Sequence, residues 1–148
     1  MKLETLESMW AEDAKIDPLD LGTQALRVPQ LHSKWYKMYL QERLTLKKQE
    51  YELKELMNDR YHFYDGTLDD ETMEERGWTA EFRAFSKKVL KSDIQRYLDA
   101  DRKISAEGLK VAYQKEKVLF LESIMDNIKY RGNSIKSAID WAKFTNGI

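Results

Sequence analysis

From Gln30 to Asp65 the chain contains neither proline nor glycine. Nothing in that stretch interrupts a helix, and with Pro29 suited to its first turn the helix reads to about Tyr64. That is roughly 35 residues, or about 50 Å at about 1.5 Å per residue. A domain of 148 residues cannot fold compactly around a rod that long, so the rod requires a partner helix from the same chain or another copy. The expected fold class is all-α, built on long helices. Six glycines and two prolines in the whole chain agree, because so few breakers leave little room for many short strands.

Around this rod other helices can be placed. Leu3, Leu6, Met9 and Trp10 form one stripe over about residues 3–15, ended by Asp17-Pro18 and then Gly22. The stretch "LETLESMWAED" reads either as an acidic partner helix or as a helix packed on its own core through Leu6 and Trp10. Residues 65–79 read as an acidic loop opened by Asp65-Gly66. A helix is expected over about 80–103, with Phe82, Phe85, Val89, Ile94, Tyr97 and Leu98 as its apolar side. Gly108 then kinks a continuous helix or separates two.

Val111, Val118 and Met125 recur every seven residues, with Leu121 and Ile128 between them, as in a short heptad seam. Leu119, Phe120 and Ile124 point elsewhere. A helix apolar on two sides is buried on two sides. It is either the central helix of its own fold or a helix shared with another subunit. Gly132 suits a C-cap, and a short amphipathic helix with Ile135, Ile139 and Ala142 on one face is expected to close the chain at Asn146-Gly147.

The net charge of -1 hides an uneven distribution. Residues 1–26 hold two basic and six acidic side chains, and 65–77 hold one and six. Residues 27–64 hold eight basic and five acidic, 78–103 seven and four, and 104–148 seven and five. Acidic blocks thus mask mildly basic segments. With no cysteine, disulfides and thiolate zinc sites are excluded, which fits a reducing compartment. The chain has no apolar run long enough to span a membrane, which takes about 18 residues or more. "MKLETLESMW" is unlike a signal peptide, so a cytoplasmic location is expected.

Little points to catalysis. His32 and His62 lie far apart in the chain and match no metal spacing. "DDETMEE" lacks the alternating ligands and glycine of a calcium loop. The glycines are scattered and form no phosphate-cradling loop. We expect no catalytic residue, metal or cofactor. The long helix does carry a basic-aromatic stripe: Arg43, Lys47, Tyr51, Lys54, Asn58 and Tyr61 share one side, with Lys34 and Lys37 before them and Arg60 at the end. Single-strand binders use this mixture, cations following phosphates and rings stacking on bases. A solvated face tied by Glu50–Lys54 and Lys48–Glu52 pairs is the competing reading. In "NDRYHFYDG" Phe63 falls toward a core, while Tyr61, His62 and Tyr64 are candidates for the exposed side.

Taken in order, "MWAEDAKID" (9–17), "PQLHSKWYKMY" (29–39), "YHFYDG" (61–66), "LKSDIQRYLDAD" (90–101), "LESIMDNIKYRGNSIKSAIDW" (121–141) and "KFTNG" (143–147) resemble the UvsY recombination mediators of tailed phages, especially those of phages infecting cyanobacteria. The resemblance runs nearly end to end. It implies a non-enzymatic helical protein whose C-terminal helices assemble a closed homo-oligomeric ring of roughly six or seven subunits. It also implies an N-terminal part that binds single-stranded DNA. Such a protein works in the cytoplasm of the infected host cell and helps load a UvsX-type phage recombinase onto DNA covered by the phage single-strand-binding protein, contacting both. The family's DNA-binding motif has two basic residues before the aromatic run. Arg60 matches one, Asn58 occupies the other position, and Lys54 lies one turn earlier.

The expectation is therefore a DNA-binding part over residues 1–79, including the acidic loop, and an oligomerisation part over 80–148. DNA contacts are expected from Arg60 first, then Lys54, Tyr61, Arg43, Lys47, His62, Tyr64 and Lys34. Subunit contacts are expected from Val118, Leu121, Ile124, Met125, Ile128, Ile135 and Ile139. The competing class is a non-catalytic helical adaptor that recruits protein partners and ignores DNA.

Overall fold

In the computed structural model, which describes residues 1–147, the breaker-free stretch lies within helix α2, Leu21–Asp65. This 45-residue helix starts eight residues before Pro29, which sits inside it instead of at its first turn. An interior proline costs about 3 kcal/mol because it removes one backbone bond. Packing offsets this, since Gln24, Leu31 and Trp35 on the same helix are buried. Before α2 comes helix α1, Leu3–Asp13, shorter by two residues than expected. At the far end Gly66 turns left-handed at φ 81°. The amides of Thr67 and Leu68 both return to the His62 carbonyl, as at many helix ends closed by glycine.

The acidic stretch is not a plain loop. Asp69 accepts from the Thr72 amide at 2.9 Å and caps helix α3, Asp70–Arg76, whose acidic first turn suits the helix dipole. Gly77 closes it at φ 74°, with the Trp78 amide bonded to the Met73 carbonyl at 2.9 Å. Met73 and Trp78 are buried, and this anchors the segment.

The helix expected over 80–103 is broken into α4, Thr79–Ala84, an irregular segment, a 3-10 turn at Lys91–Asp93, and α5, Ile94–Asp99. A continuous helix would stack Arg83, Lys87 and Lys91 at i,i+4, a ladder of like charges that opposes it. Beyond lies α6, Arg102–Thr145, 44 residues long. Gly108 and Gly132 both fall inside it, so neither ends a helix and no separate closing helix exists. Among the described residues there is no strand.

The chain divides into two compact units that cut across the expected segments 1–79 and 80–148. The first joins Met1–Leu44 to the chain from Lys115 on; the second is Thr45–Gln114. In the first unit Leu6, Leu31, Trp35, Leu121, Ile124 and Ile128 form the core. Trp10 meets Trp35 edge-on, with ring centres 5.5 Å apart, a favoured geometry for aromatic pairs. The N-terminal helix thus packs on its own chain. α6 anchors it at both ends: Lys117 Nζ donates to the Met1 carbonyl at 2.8 Å, and Arg131 donates to those of Ala14 and Lys15 at 3.2 and 3.0 Å. Lys117 and Arg131 are about 21 Å apart along a helix, so α1 runs parallel to α6.

This packing corrects the expected oligomer seam. Val118, Leu121, Ile124, Ile128 and Ile135 are buried within the chain itself, while Met125 and Ile139 are half-buried. The central-helix reading accounts for this row. In the second unit Leu56, Phe63, Met73 and Trp78 are the buried cluster, with Tyr64, Leu68, Phe82, Phe85 and Ile104 packed against it.

Candidate nucleic-acid interface

Arg60 lies one turn after Leu56 and one turn before Phe63 and Tyr64, so it faces inward with the buried row of α2. Its side chain is 3% exposed. Nε donates to Asp101 Oδ2 at 2.7 Å, and the two terminal nitrogens donate to Glu81 at 3.2 and 2.9 Å. The guanidinium lies 4.1 Å from the Phe63 ring centre and 4.6 Å from that of Trp78, within cation–π range. The Tyr64 hydroxyl donates to the same Asp101 Oδ2 at 2.6 Å. Asp101 Oδ1 meanwhile accepts from the amides of Lys103 and Ile104, capping α6.

One carboxylate thus closes a network between α2 and the start of α6. Burial works against the charge on Asp101, but hydrogen bonds from Tyr64, Arg60 and the Ile104 amide outweigh it and hold the carboxyl below its ordinary range. Burial also opposes the Arg60 cation, yet Glu81 and Asp101 hold it charged and raise its pKa. Burial and the bond to Asp101 push the Tyr64 hydroxyl up.

This geometry corrects the placing of Arg60 and Tyr64 on an exposed side. The Arg60 charge is neutralised inside the protein, and the Tyr64 ring packs on Phe63, Phe85 and Tyr97. Tyr61 is half-buried, edge-on to His62 at 5.4 Å. His62 Nδ1 lies 2.8 Å from the Thr67 hydroxyl and 3.4 Å from Asp65. Lys34 is engaged with Asp13 at 2.6 Å.

The remaining stripe residues are placed differently. In the second unit Lys47, Tyr51 and Lys54 are exposed. They follow one another by four and three residues, on one side of α2. Tyr51 is 65% exposed, and Lys54 Nζ lies 5.7 Å from its ring centre. Lys48 pairs with Glu52 at 3.8 Å. Arg43, in the first unit, is also exposed.

A further basic surface escapes the residue-level reading of the sequence. Lys87 and Lys88 border a cleft of about 290 Å³ lined by Tyr64, Phe82 and Phe85. The excess of cations over 78–103 is its signal, but a helix expected there spreads those residues around its circumference. Exposed apolar side chains also remain on α6: Leu119, Tyr130, Trp141 and Phe144. The Trp141 and Phe144 rings stack at 5.7 Å. Among the described residues no group of His, Asp and Glu could hold a metal ion, and no helix is long and apolar enough to cross a membrane.

Comparison with known proteins follows the fold closely. No match is found among curated protein sequences. Crystal structures of the bacteriophage T4 recombination mediator protein UvsY are similar over nearly their whole length. The lattice type II form gives a TM-score of 0.80 at 24% identity, covering 99% of this chain and 98% of that one. The lattice type IV form gives 0.75 at 21%, covering 98% and 99%. The sequence profile of the family described as "Recombination, repair and ssDNA binding protein UvsY" matches residues 9–148. With that pattern spanning nearly the whole chain, this protein belongs to the UvsY family.

Proposed function

We propose that this chain is a recombination mediator that binds single-stranded DNA and performs no chemistry on it. The observation that carries this reading is the family pattern over residues 9–148, whose description names recombination, repair and single-stranded DNA binding. The surface supports it. Lys47 and Lys54 present cations to solvent with the Tyr51 ring between them, as a base-tolerant strand contact requires. Tyr61 and His62 stand at the edge of the contact, and Arg43, exposed in the first unit, is a candidate contact of its own. Arg60 positions this part of α2 from inside.

In this reading the chain assembles into a closed ring of roughly six or seven copies. Trp141 and Phe144, 65% and 77% exposed, supply the subunit contact together with half-buried Ile139. Each subunit binds weakly, but a strand touching several gains effective concentration at every later contact. That suits a protein which holds DNA and then yields it, helping a UvsX-type recombinase load onto DNA covered by the phage single-strand-binding protein in the infected cell's cytoplasm.

The test is fluorescence anisotropy of a labelled single-stranded oligonucleotide, titrated with wild type and with Lys47→Ala/Lys54→Ala at low and moderate salt. Wild type is expected to bind, with affinity falling steeply as salt rises. Losing two phosphate contacts should make the log–log slope shallower by about 1.4. If wild type does not bind at low salt, the DNA reading fails and a helical adaptor for protein partners replaces it.

A further inference from the structure

The irregular segment between α4 and the 3-10 turn combines three properties. Lys87 and Lys88 are exposed and engage no acidic side chain among the described residues. The amides of Lys87, Lys88 and Val89 have no acceptor within the described protein, because the backbone there is neither helix nor sheet. The adjoining cleft is lined by aromatic rings, with Phe85 set 5.6 Å from Tyr64 and 5.9 Å from Phe63. Its one lining acid, Asp65, turns its carboxylate to the Thr67 amide and the His62 ring.

We infer that this cleft is a nucleotide subsite for single-stranded DNA, separate from the stripe on α2. A splayed base lies against the Phe85 ring, with the half-buried Tyr64 ring, 71° to it, forming the wall beside it. The flanking phosphates take the ammonium groups of Lys87 and Lys88 and the open amides. An acidic peptide would answer the lysines but leaves the aromatic lining unexplained, whereas every base has a face that stacks. Duplex DNA cannot present a base to the cleft without unpairing it. Arg83 and Lys91, exposed on either side in sequence, extend the positive track. The inference rests on the proposed single-strand binding and adds a site to it.

The experiment uses the full chain and an oligothymidylate carrying 5-iodouracil. Anisotropy is measured across a salt series for wild type, Lys87→Ala/Lys88→Ala and Lys47→Ala/Lys54→Ala, and photocrosslinked peptides are mapped. Both lysines are exposed without ion-pair partners, so the fold should persist, and circular dichroism checks this. The expected result is a slope shallower by about 1.4 in the Lys87/Lys88 variant, a further loss when the two pairs are combined, and crosslinks at Phe85 or Tyr64. If wild type binds but this variant keeps the full slope and no crosslink falls within 63–89, the subsite is overturned while the proposed function stands. If the variant loses binding only to an oligoglutamate peptide, the cleft is a protein-docking surface and the inference is likewise overturned. If wild type binds no oligonucleotide, both readings fall together.

Discussion

Arg60 and Asp101, 41 residues apart in sequence, meet through a 2.7 Å bond between side chains that are 3% and 1% exposed. Removing one partner strands the other charge in a nearly dry site. Asp101→Ala is expected to lower unfolding free energy by about 3–5 kcal/mol, including the lost cap of α6. Arg60→Ala should destabilise comparably. Arg60→Lys should not restore stability, because an ammonium cannot reproduce the guanidinium's planar reach to both Asp101 and Glu81. Denaturant titration checks this. An Arg60→Ala protein as stable as wild type but unable to bind DNA would return Arg60 to the interface.

The same pair predicts acid sensitivity. The Asp101 carboxyl is held below its ordinary value of 3.8 in the folded state. A depressed carboxyl contributes stability that is present above the unfolded pKa and is lost as pH falls through the folded one. Thermal melts should therefore be insensitive to this group near neutrality and fall progressively below about pH 3.8. Asp101→Asn should flatten that acid limb, leaving the part due to Asp13, Asp65 and Asp69, whose carboxyls are also held low. An unchanged limb in the variant would mean the network does not stabilise the charged form.

Tyr51 offers a test in which fold and binding separate. Its ring is 65% exposed, so Tyr51→Ala should alter stability by no more than about 0.5 kcal/mol. Loss of one stacked base should weaken single-strand binding by about 1–3 kcal/mol. Unlike the lysine variants it should leave the salt slope unchanged, because no phosphate contact is removed.

Assembly and folding also separate on α6. Leu121 and Ile124 belong to the chain's own core, so Leu121→Ala and Ile124→Ala should each cost about 2–5 kcal/mol. Trp141→Ala/Phe144→Ala should leave the chain folded and, if the proposed ring forms through these residues, lower the sedimentation coefficient of the protein by dissociating the ring. A ring that survives this substitution would move the subunit contact elsewhere.

Gly108 tests the continuity of α6. It lies inside the helix without a positive φ, and nothing lies within 4 Å of where a Cβ would stand. Gly108→Ala should therefore stabilise the protein by about 0.4–1 kcal/mol. Gly77→Ala should do the reverse, because its φ is 74°, a conformation that an alanine Cβ disfavours. Melting temperatures of the two variants decide.

The long helices are legible in the sequence because their signals are local: a breaker-free run, and an apolar periodicity that survives over several turns. Phe63 reads as a core residue on that basis, and it is; for Leu6 and Trp10 the pattern leaves a partner helix and the chain's own core both open, and they pack on their own chain. Arg60 does not read as core: it shares the side of Leu56 and Phe63, but a charged residue reads as surface unless its partners are known, and Asp101 and Glu81 lie far along the chain. Pro29 and Gly132 mislead for a related reason. Each weakens a helix by a fixed local amount, and packing of the flanking turns outweighs it. The seam at 111–128 shows that two faces need covering but not by whom, and Leu31 and Trp35 cover part of one at Leu121, Ile124 and Ile128.

The anchoring of α1 at both ends by Lys117 and Arg131 has a consequence for the order of events on the ribosome. Thr45–Gln114 is one uninterrupted piece of chain, so the contacts inside that unit join residues made in a single run. Ala14, by contrast, must wait for Arg131, which is synthesised 117 residues later, before its carbonyl gains a donor. Such long-range closure is slow because the intervening loop must be ordered first. During that wait Leu6 and Trp10 have only Leu31 and Trp35 of α2 to pack on, and the rest of their cover, Leu121, Ile124 and Ile128, arrives only as α6 is made.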